Sequence, residues 1–394
     1  MITKKPTKKK QTKTKKTTNP TRRDTMSKLI YNRRRFLGTA AATGAFMASP
    51  AYIRRANAQG SGEVNIWTYN DFVPEAFKDQ FEAETGIKVN VRLVDDQGKQ
   101  FNLLAAEQPN PTVDIMTVAG HRFLQFIQSD LLEPLDTDRL SNWGNINPTF
   151  SESDWATING NKWGAPILSG MEVLSYNTDY VTEEEALTWD TLFSEKYSGQ
   201  TAYIIQDMMS IVMLKMGYDG NMVAYMDDPE EAARIVEEAK NFLIEHKPLV
   251  RKYYDGGAEF QQMMVNRDIT LGHSWNGPAA ALINDGFPLG MTIPREGSYG
   301  FVYTYNIAKN APNAENAYRF LDAILASPEI GAAMTKASGF ISTYKGADQY
   351  LTDLERKSTS FPEEQLANLQ FFRAEANELK YNLVDPAVEA IKAA

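Results

Sequence analysis

Apolar and polar positions along this chain follow two distinct periods. Glu63–Tyr69 (EVNIWTY) alternates apolar and polar residues around Val64 and Ile66, with Trp67 next to them, as a strand does. Pro74–Glu84 then sets Phe77 and Phe81 four residues apart, on one face of a helix that Gly86 stops. Ile87–Val94 returns to period two, as a strand buried on one face. Gln97–Gln108 predicts a helix and Val113–Val118 a short, more buried strand. His121–Ser129 predicts a further helix with Phe123, Phe126 and Ile127 on one side. Such a β-α-β-α-β-α rhythm predicts a parallel sheet covered by helices through right-handed crossovers.

A second region of the same kind begins near Thr178. Asp228-Pro229-Glu230-Glu231 has an N-cap Asp, Pro at the first helical position and Glu at the third. It launches a helix with Ile235, Val236, Ala239, Phe242 and Leu243 along one face. Asn313–Ala326 repeats the theme with Ala317, Phe320, Leu321, Ile324 and Leu325, and Ser327-Pro328-Glu329 opens one more helix. Between these regions Trp163–Asn177 and Thr292–Ala308 are extended and Gly-punctuated, without helical period, as two crossings between two lobes. Residues 344–394 predict a helical pair, Pro362–Tyr381 and Pro386–Ala393, packed on the second lobe. The 394 residues suit about two domains. No self-similar repeat points to a solenoid or propeller.

Composition changes this picture in two places. The absence of Cys excludes disulfides, thiolate metal sites and a cysteine nucleophile. The net charge of -9 hides an asymmetry: residues 1–58 hold 16 Lys+Arg and one acidic residue, Asp24. Taken from the chain totals of 41 and 50, that leaves 25 basic against 49 acidic residues in 59–394, a net of -24. So acidic a body repels nucleic acid, whose sequence-independent capture needs cations against phosphate. The basic start reads as an address. Asn32-Arg33-Arg34-Arg35-Phe36-Leu37-Gly38 opens an Ala/Gly-rich apolar run to Ile53, and Ala56-Asn57-Ala58 supplies the small-x-small cleavage pattern before Gln59. The paired arginines before Phe-Leu resemble a twin-arginine export signal; nothing upstream of the internal Met26 looks like part of it, which leaves Met1 and Met26 both as candidate starts. A single membrane anchor is the bland alternative, but the run is short and diluted by Gly, Ser, Thr and Pro. The mature chain is then 59–394, exported.

Catalytic and metal motifs are largely missing. Gly272-His273-Ser274-Trp275-Asn276-Gly277 sets Ser beside His but misses the G-x-S-x-G elbow by one position, leaving a serine hydrolase as a remote alternative. No H-E-x-x-H, P-loop or G-x-G-x-x-G occurs, so no cofactor and no metal ion is expected. Tyr253-Tyr254 offers two hard oxygen ligands and keeps ferric iron as a minor alternative. Aromatics and amides instead gather at predicted strand ends and crossings: Trp67, Tyr69, Asn70, Asp71 and Phe72; Trp275 and Asn276; Tyr299, Phe301, Tyr303 and Tyr305. In an open α/β sheet, ligands bind beyond the carboxyl ends of the strands, where such rings cover apolar carbons or face a cation. The other reading of any single ring is core packing.

From about Glu63 to Thr343 the chain resembles the periplasmic solute-binding proteins of ABC importers, specifically the spermidine/putrescine-binding group. The resemblance rests on ordered stretches, among them Asp71-Phe72-Val73-Pro74, Phe81–Val89 (FEAETGIKV), Trp189-Asp190-Thr191-Leu192-Phe193, Lys215–Asn221 (KMGYDGN), Leu271–Gly277 (LGHSWNG), Pro294-Arg295-Glu296-Gly297 and Gly339–Thr343 (GFIST). It implies an α/β, two-lobe periplasmic-binding-protein fold of type II, each lobe a mainly parallel sheet flanked by helices. One lobe is 59–168 plus 302–340 and the other 169–301 plus 341–394. It also implies a ligand trapped between the lobes, delivery to an inner-membrane permease, a monomer and no enzymatic activity.

Carried over by position, the family's aromatic pair falls on Tyr69 and Phe72, its Ser/Tyr pair on Ala119 and His121, and its W-N-G tryptophan on Trp275. The second-crossing aromatic falls on Phe301, but the family's ammonium-gripping carboxylate falls on Tyr303. Asp207 and Asp71 remain as anions, with Asn276 and Ser342 as hydrogen-bonding groups. A buried diammonium needs a carboxylate near each end, so the substitutions point to a smaller or monocationic amine in an aromatic box. The rival ligand class is an anionic or zwitterionic solute (phosphonate, sulfonate or carboxylate) held by Arg122, Arg267 or Arg295 and by His121.

Overall fold

Val64, Ile66 and Trp67 are withdrawn from solvent along β1 (Glu63–Thr68) in the computed structural model of the chain, which describes residues 62–94, 96–152 and 156–394. The expected export signal and both candidate starts lie outside these residues. β1 pairs in parallel with β2 (Lys88–Leu93) and with β3 (Ile115–Ala119). The helix Glu75–Thr85 buries Phe77 and Phe81 against Phe320 of the helix Ala314–Ile324, with ring centroids 5.5 and 5.4 Å apart. Gly86 ends the first of these helices in the left-handed region (φ 70°), as its position forecast.

The remaining strands are β4 (Thr157–Ile158) and β5 (Asn161–Lys162), a separate hairpin, then β6 (Ala165–Asn177), β7 (Thr201–Tyr203), β8 (Val250–Tyr253), β9 (Leu271–Trp275), β10 (Leu289–Thr292), β11 (Ser298–Ile307), β12 (Ile341–Ser342) and β13 (Leu369–Phe371). The main sheet runs β2-β1-β3-β11-β6-β9-β7-β8, with β10 and β12 against β6 and β13 against β11. Both expected crossings are therefore strands, β6 and β11, lying antiparallel and side by side, and every residue of each is buried. β11 joins β3 through Tyr303–Ile307, while β6 joins β9 through Glu172–Tyr176. Each thus links one α/β half to the other. The first half packs around Ile66, Phe81, Tyr305 and Phe320, and the second around Leu174, Trp189, Met209 and Leu243.

The structure departs from expectation at two places that matter later. His121–Ser129 is not one helix: a 3-10 turn, Gly120–Arg122, precedes the helix Phe123–Gln128. His121 and Arg122 thereby sit on a tight turn just past the end of β3. The C-terminal segment is not a helical pair either. Leu369–Phe371 pairs in parallel with Ser298–Gly300 of β11, and a single helix, Asn377–Ala393, runs straight through Pro386. Propensity alone makes Pro a helix breaker. Here Val384, Ala387, Val388 and Ile391 are buried in the second core, and that packing overrides the local preference.

One buried carboxylate staples the first half. Asp114, fully buried, accepts hydrogen bonds from the Asn65 backbone N–H (2.7 Å) and side chain (3.2 Å), and from the Asn313 backbone N–H (2.6 Å) and side chain (3.1 Å). It ties β1 to the start of the helix Ala314–Ile324. Asp114→Ala leaves those donors unsatisfied and is expected to lower stability by about 2–4 kcal/mol, read as a shift of the urea midpoint at unchanged slope.

Candidate functional site

Rings from two elements build one wall of a cavity of about 430 Å³ at the strand ends. Tyr69 follows β1 directly, and Phe301 and Tyr303 lie in β11. Tyr303 stands 5.2 Å from Tyr69 and 5.2 Å from Phe301, centroid to centroid. Phe72 is 2% exposed and sits behind this wall, 5.1 Å from Tyr303, with Phe340 beside it. Gln97 fixes the tyrosine: its side-chain N–H donates to Tyr69 Oη at 2.6 Å and to the Thr117 carbonyl at 3.2 Å, while its oxygen accepts from the Ala119 N–H. Ala119, at the end of β3, leaves room where a larger side chain would fill the cavity floor.

The facing wall is acidic. Trp275 ends β9 and begins the helix Asn276–Asn284; Glu172 lies within β6; Asp207 is in the first turn of the helix Ile205–Lys215. Glu172 is 1% exposed and accepts from His273 Nε2 at 2.6 Å and from the Trp275 indole N–H at 3.1 Å. The Ile204 backbone N–H points at His273 Nδ1. A backbone amide can only donate, so Nδ1 is the acceptor and Nε2 carries the proton. Burial holds His273 neutral, with its pKa lowered to about 4. Ligand-type atoms of Glu172, Asp207 and His273 lie within 4.8 Å of one another, the one such metal-compatible grouping among the described residues. A metal there would compete with the His273 and Trp275 N–H groups that already bond Glu172.

Two carboxylates so close raise each other's proton affinity. Burial, then the charge of Glu172, pushes Asp207 up to about 7, against the pull of His273, Lys380 and the Trp275 N–H. Burial likewise raises Glu172 well above the ordinary carboxylate range, opposed by Trp275 and Lys380. The acidic wall is short of positive charge.

A third group comes from the C-terminal segment. Phe372, Arg373, Asn377, Lys380 and Tyr381 all line the cavity. They reach the turn after β3: the Asn377 side chain donates to the His121 carbonyl, the His121 ring lies 5.3 Å from Phe372, and Arg122 stacks over Tyr381 at 4.7 Å. Burial, then the charges of Arg122 and Lys380, drives the His121 pKa well below its ordinary value.

Of the residues singled out from the sequence, Tyr69, Ala119, His121, Asp207, Trp275, Phe301 and Tyr303 meet at this cavity. Phe72, Asn276 and Ser342 are not among its lining residues. Asn276 is fully buried; its oxygen accepts from the Met171 N–H at 2.9 Å and its nitrogen donates to the Gly339 carbonyl, anchoring the helix that carries Trp275. A Cβ at Gly339 (φ 74°) would strike the Gly277 carbonyl, so this joint requires glycine. Ser342 Oγ accepts from the Tyr344 N–H at 3.1 Å. Asp71 is exposed and outside the lining; the second anion is Glu172 instead. Its signal was a lone acid inside the otherwise uncharged strand Ala165–Asn177. Ser274 Oγ bonds Ser175 Oγ at 2.7 Å, on the face of β9 opposite to His273, so no nucleophile–base pair forms. Tyr254 spends its hydroxyl on the His273 carbonyl. Of Arg122, Arg267 and Arg295, Arg122 alone lines the cavity.

Comparison with known proteins gives the arrangement a context. The chain is 23% identical over 288 residues to a spermidine/putrescine-binding periplasmic protein of Haemophilus influenzae, covering 73% of this chain and 76% of that one. It is 23% identical over 315 residues to a putrescine/agmatine-binding protein of Pseudomonas aeruginosa, covering 76% and 82%. The solved structure of a putative spermidine/putrescine ABC transporter protein from Listeria monocytogenes superposes with a TM-score of 0.73 at 22% identity, covering 84% of this chain and 99% of that one. The fold is therefore the two-lobe periplasmic-binding-protein fold. Residues 76–361 match the bacterial extracellular solute-binding protein family, and the chain belongs to that family.

Proposed function

We propose that this protein is the exported, periplasmic receptor of an ABC uptake system, capturing a small amine of the polyamine type between its lobes and delivering it to an inner-membrane permease. The observation that carries this reading is the cavity in which an aromatic wall, Tyr69, Phe301 and Tyr303, faces the Asp207–Glu172 pair and Trp275. Carboxylates with raised pKa and the faces of electron-rich rings attract the same guest, a desolvated ammonium. The names of the curated relatives support the same class of ligand.

The protein does no chemistry on its guest. Ligand bridging the two walls selects a closed arrangement, and β6 and β11 near 165–171 and 298–304 are the hinge about which the lobes 59–168 plus 302–340 and 169–301 plus 341–394 rotate. The molecule works as a monomer, and residues 1–58 are a twin-arginine signal removed on export. Mass analysis of the mature N-terminus is expected to begin at Gln59.

Trp275→Ala removes one face of the box and a donor to Glu172. It is expected to weaken putrescine binding about five- to thirtyfold, the effect of losing about 1–2 kcal/mol, with the circular-dichroism spectrum unchanged. A wild-type thermal shift on ligand addition in this variant would overturn the site.

The pH dependence has a fixed sign. The folded pKa of Asp207, about 7, lies above its ordinary value of 3.8. Between those values the unfolded chain ionises and the folded one does not, so ligand-free stability falls as pH rises through that window. Amine affinity runs the other way, because the ammonium needs the ionised carboxylate. Calorimetric titration with putrescine is expected to tighten about five- to tenfold from about pH 6 to about pH 8, and Asp207→Asn to flatten that slope.

A further inference from the structure

Lys380 is a charge the amine reading leaves unexplained. It is 8% exposed, lines the cavity, and comes from the first turn of the helix Asn377–Ala393. Among the described residues its ammonium has no hydrogen-bond or ion-pair partner. It stands 5.0 Å from the Phe372 ring. Arg122, also on the cavity, stacks over Tyr381 and likewise has no carboxylate partner among the described residues. Between them, His121 presents a buried Nδ1 without a hydrogen-bond partner. A buried ammonium without a counter-ion is costly, and a guest anion removes that cost.

The carboxylates point the same way by their spacing. Asp207 and Glu172 have oxygens within 4.8 Å of each other, so they form one seat for one ammonium rather than two seats at opposite ends. Asp96 and Asp255, also on the lining, are the other carboxylates open to a diamine's second ammonium, while Lys380 and Arg122 line the same space and repel it. Asp207 and Lys380 line the same cavity yet make no ion pair with each other.

Resting on the amine-capture reading, we infer that the guest is an amino acid whose charges are several carbons apart, its ammonium held at Asp207 and Glu172 and its carboxylate at Lys380, with Arg122 and His121 beside it. Lys380 is then the specificity-determining residue that separates ω-amino acids from diamines of equal length.

The test is calorimetric titration with chain-matched probes of four to six carbons: 4-aminobutanoate, 5-aminopentanoate and 6-aminohexanoate against the corresponding α,ω-diamines. The wild-type protein is expected to bind at least one of the amino acids about 30-fold or more tighter than its matched diamine. Lys380→Met, which keeps the apolar stem, is expected to lose about 30-fold or more in amino-acid affinity while diamine affinity holds or rises. Arg122→Gln is expected to lose about three- to tenfold for the amino acid alone. Diamines binding as tightly as amino acids at every length would overturn the inference and leave amine capture standing. So would an equal loss for both probe classes in Lys380→Met, the mark of a merely structural residue. If neither class bound at all, amine capture itself would fall.

Discussion

Charge that the protein cannot neutralise by itself governs this cleft. Glu172 and Asp207 crowd together beneath Trp275, and the chain answers them with N–H donors rather than with a cation in contact. Lys380 faces the same space from the C-terminal helix without touching either. Burying like charges side by side is costly in a folded protein. Here they line a cavity instead of a packed core, and under the proposed function a guest of complementary charge would offset that cost.

The rest of the fold holds those groups in place. β6 delivers Glu172 from a strand whose every residue is buried, so its carboxylate cannot swing away. β9 brings His273 and Trp275 to it in register, through the Glu172↔Trp275 and Leu174↔His273 pairs. Asn276 and Gly339 lock the helix that starts at Trp275. On the other wall, Phe72 and Phe340 brace Tyr303 from behind. β6 and β11, which carry groups from both walls, lie side by side as one antiparallel ladder.

Much of this architecture was legible in the sequence. Period-two runs and apolar spacing placed β1, β2 and the helix Glu75–Thr85 within a residue or two, and the cap placed the start of the helix Pro229–His246, where Asp228 accepts from the Glu231 N–H. Seven of ten candidate residues gathered at one cavity: Tyr69, Trp275, Phe301 and Tyr303 as aromatics at strand ends and crossings, and Ala119, His121 and Asp207 only by position in the family resemblance. What stayed hidden depends on tertiary contacts. Asn276 looked like a ligand-binding amide, yet its partners are backbone groups 105 and 63 residues away in sequence. Lys380 was not singled out from the sequence, and nothing local says that Pro386 would be tolerated inside one helix that brings Lys380 to the cavity. Glu172 was there to be found, as a lone acid in an apolar run.

A crystal structure of the protein grown with a four- to six-carbon primary amine tests the central claim most directly. The amine nitrogen is expected within hydrogen-bonding distance of Asp207 or Glu172, with Trp275 on one side and Tyr69 and Tyr303 on the other. An amine bound elsewhere, or a cleft in which those carboxylates face only water while the guest occupies another surface, would contradict it.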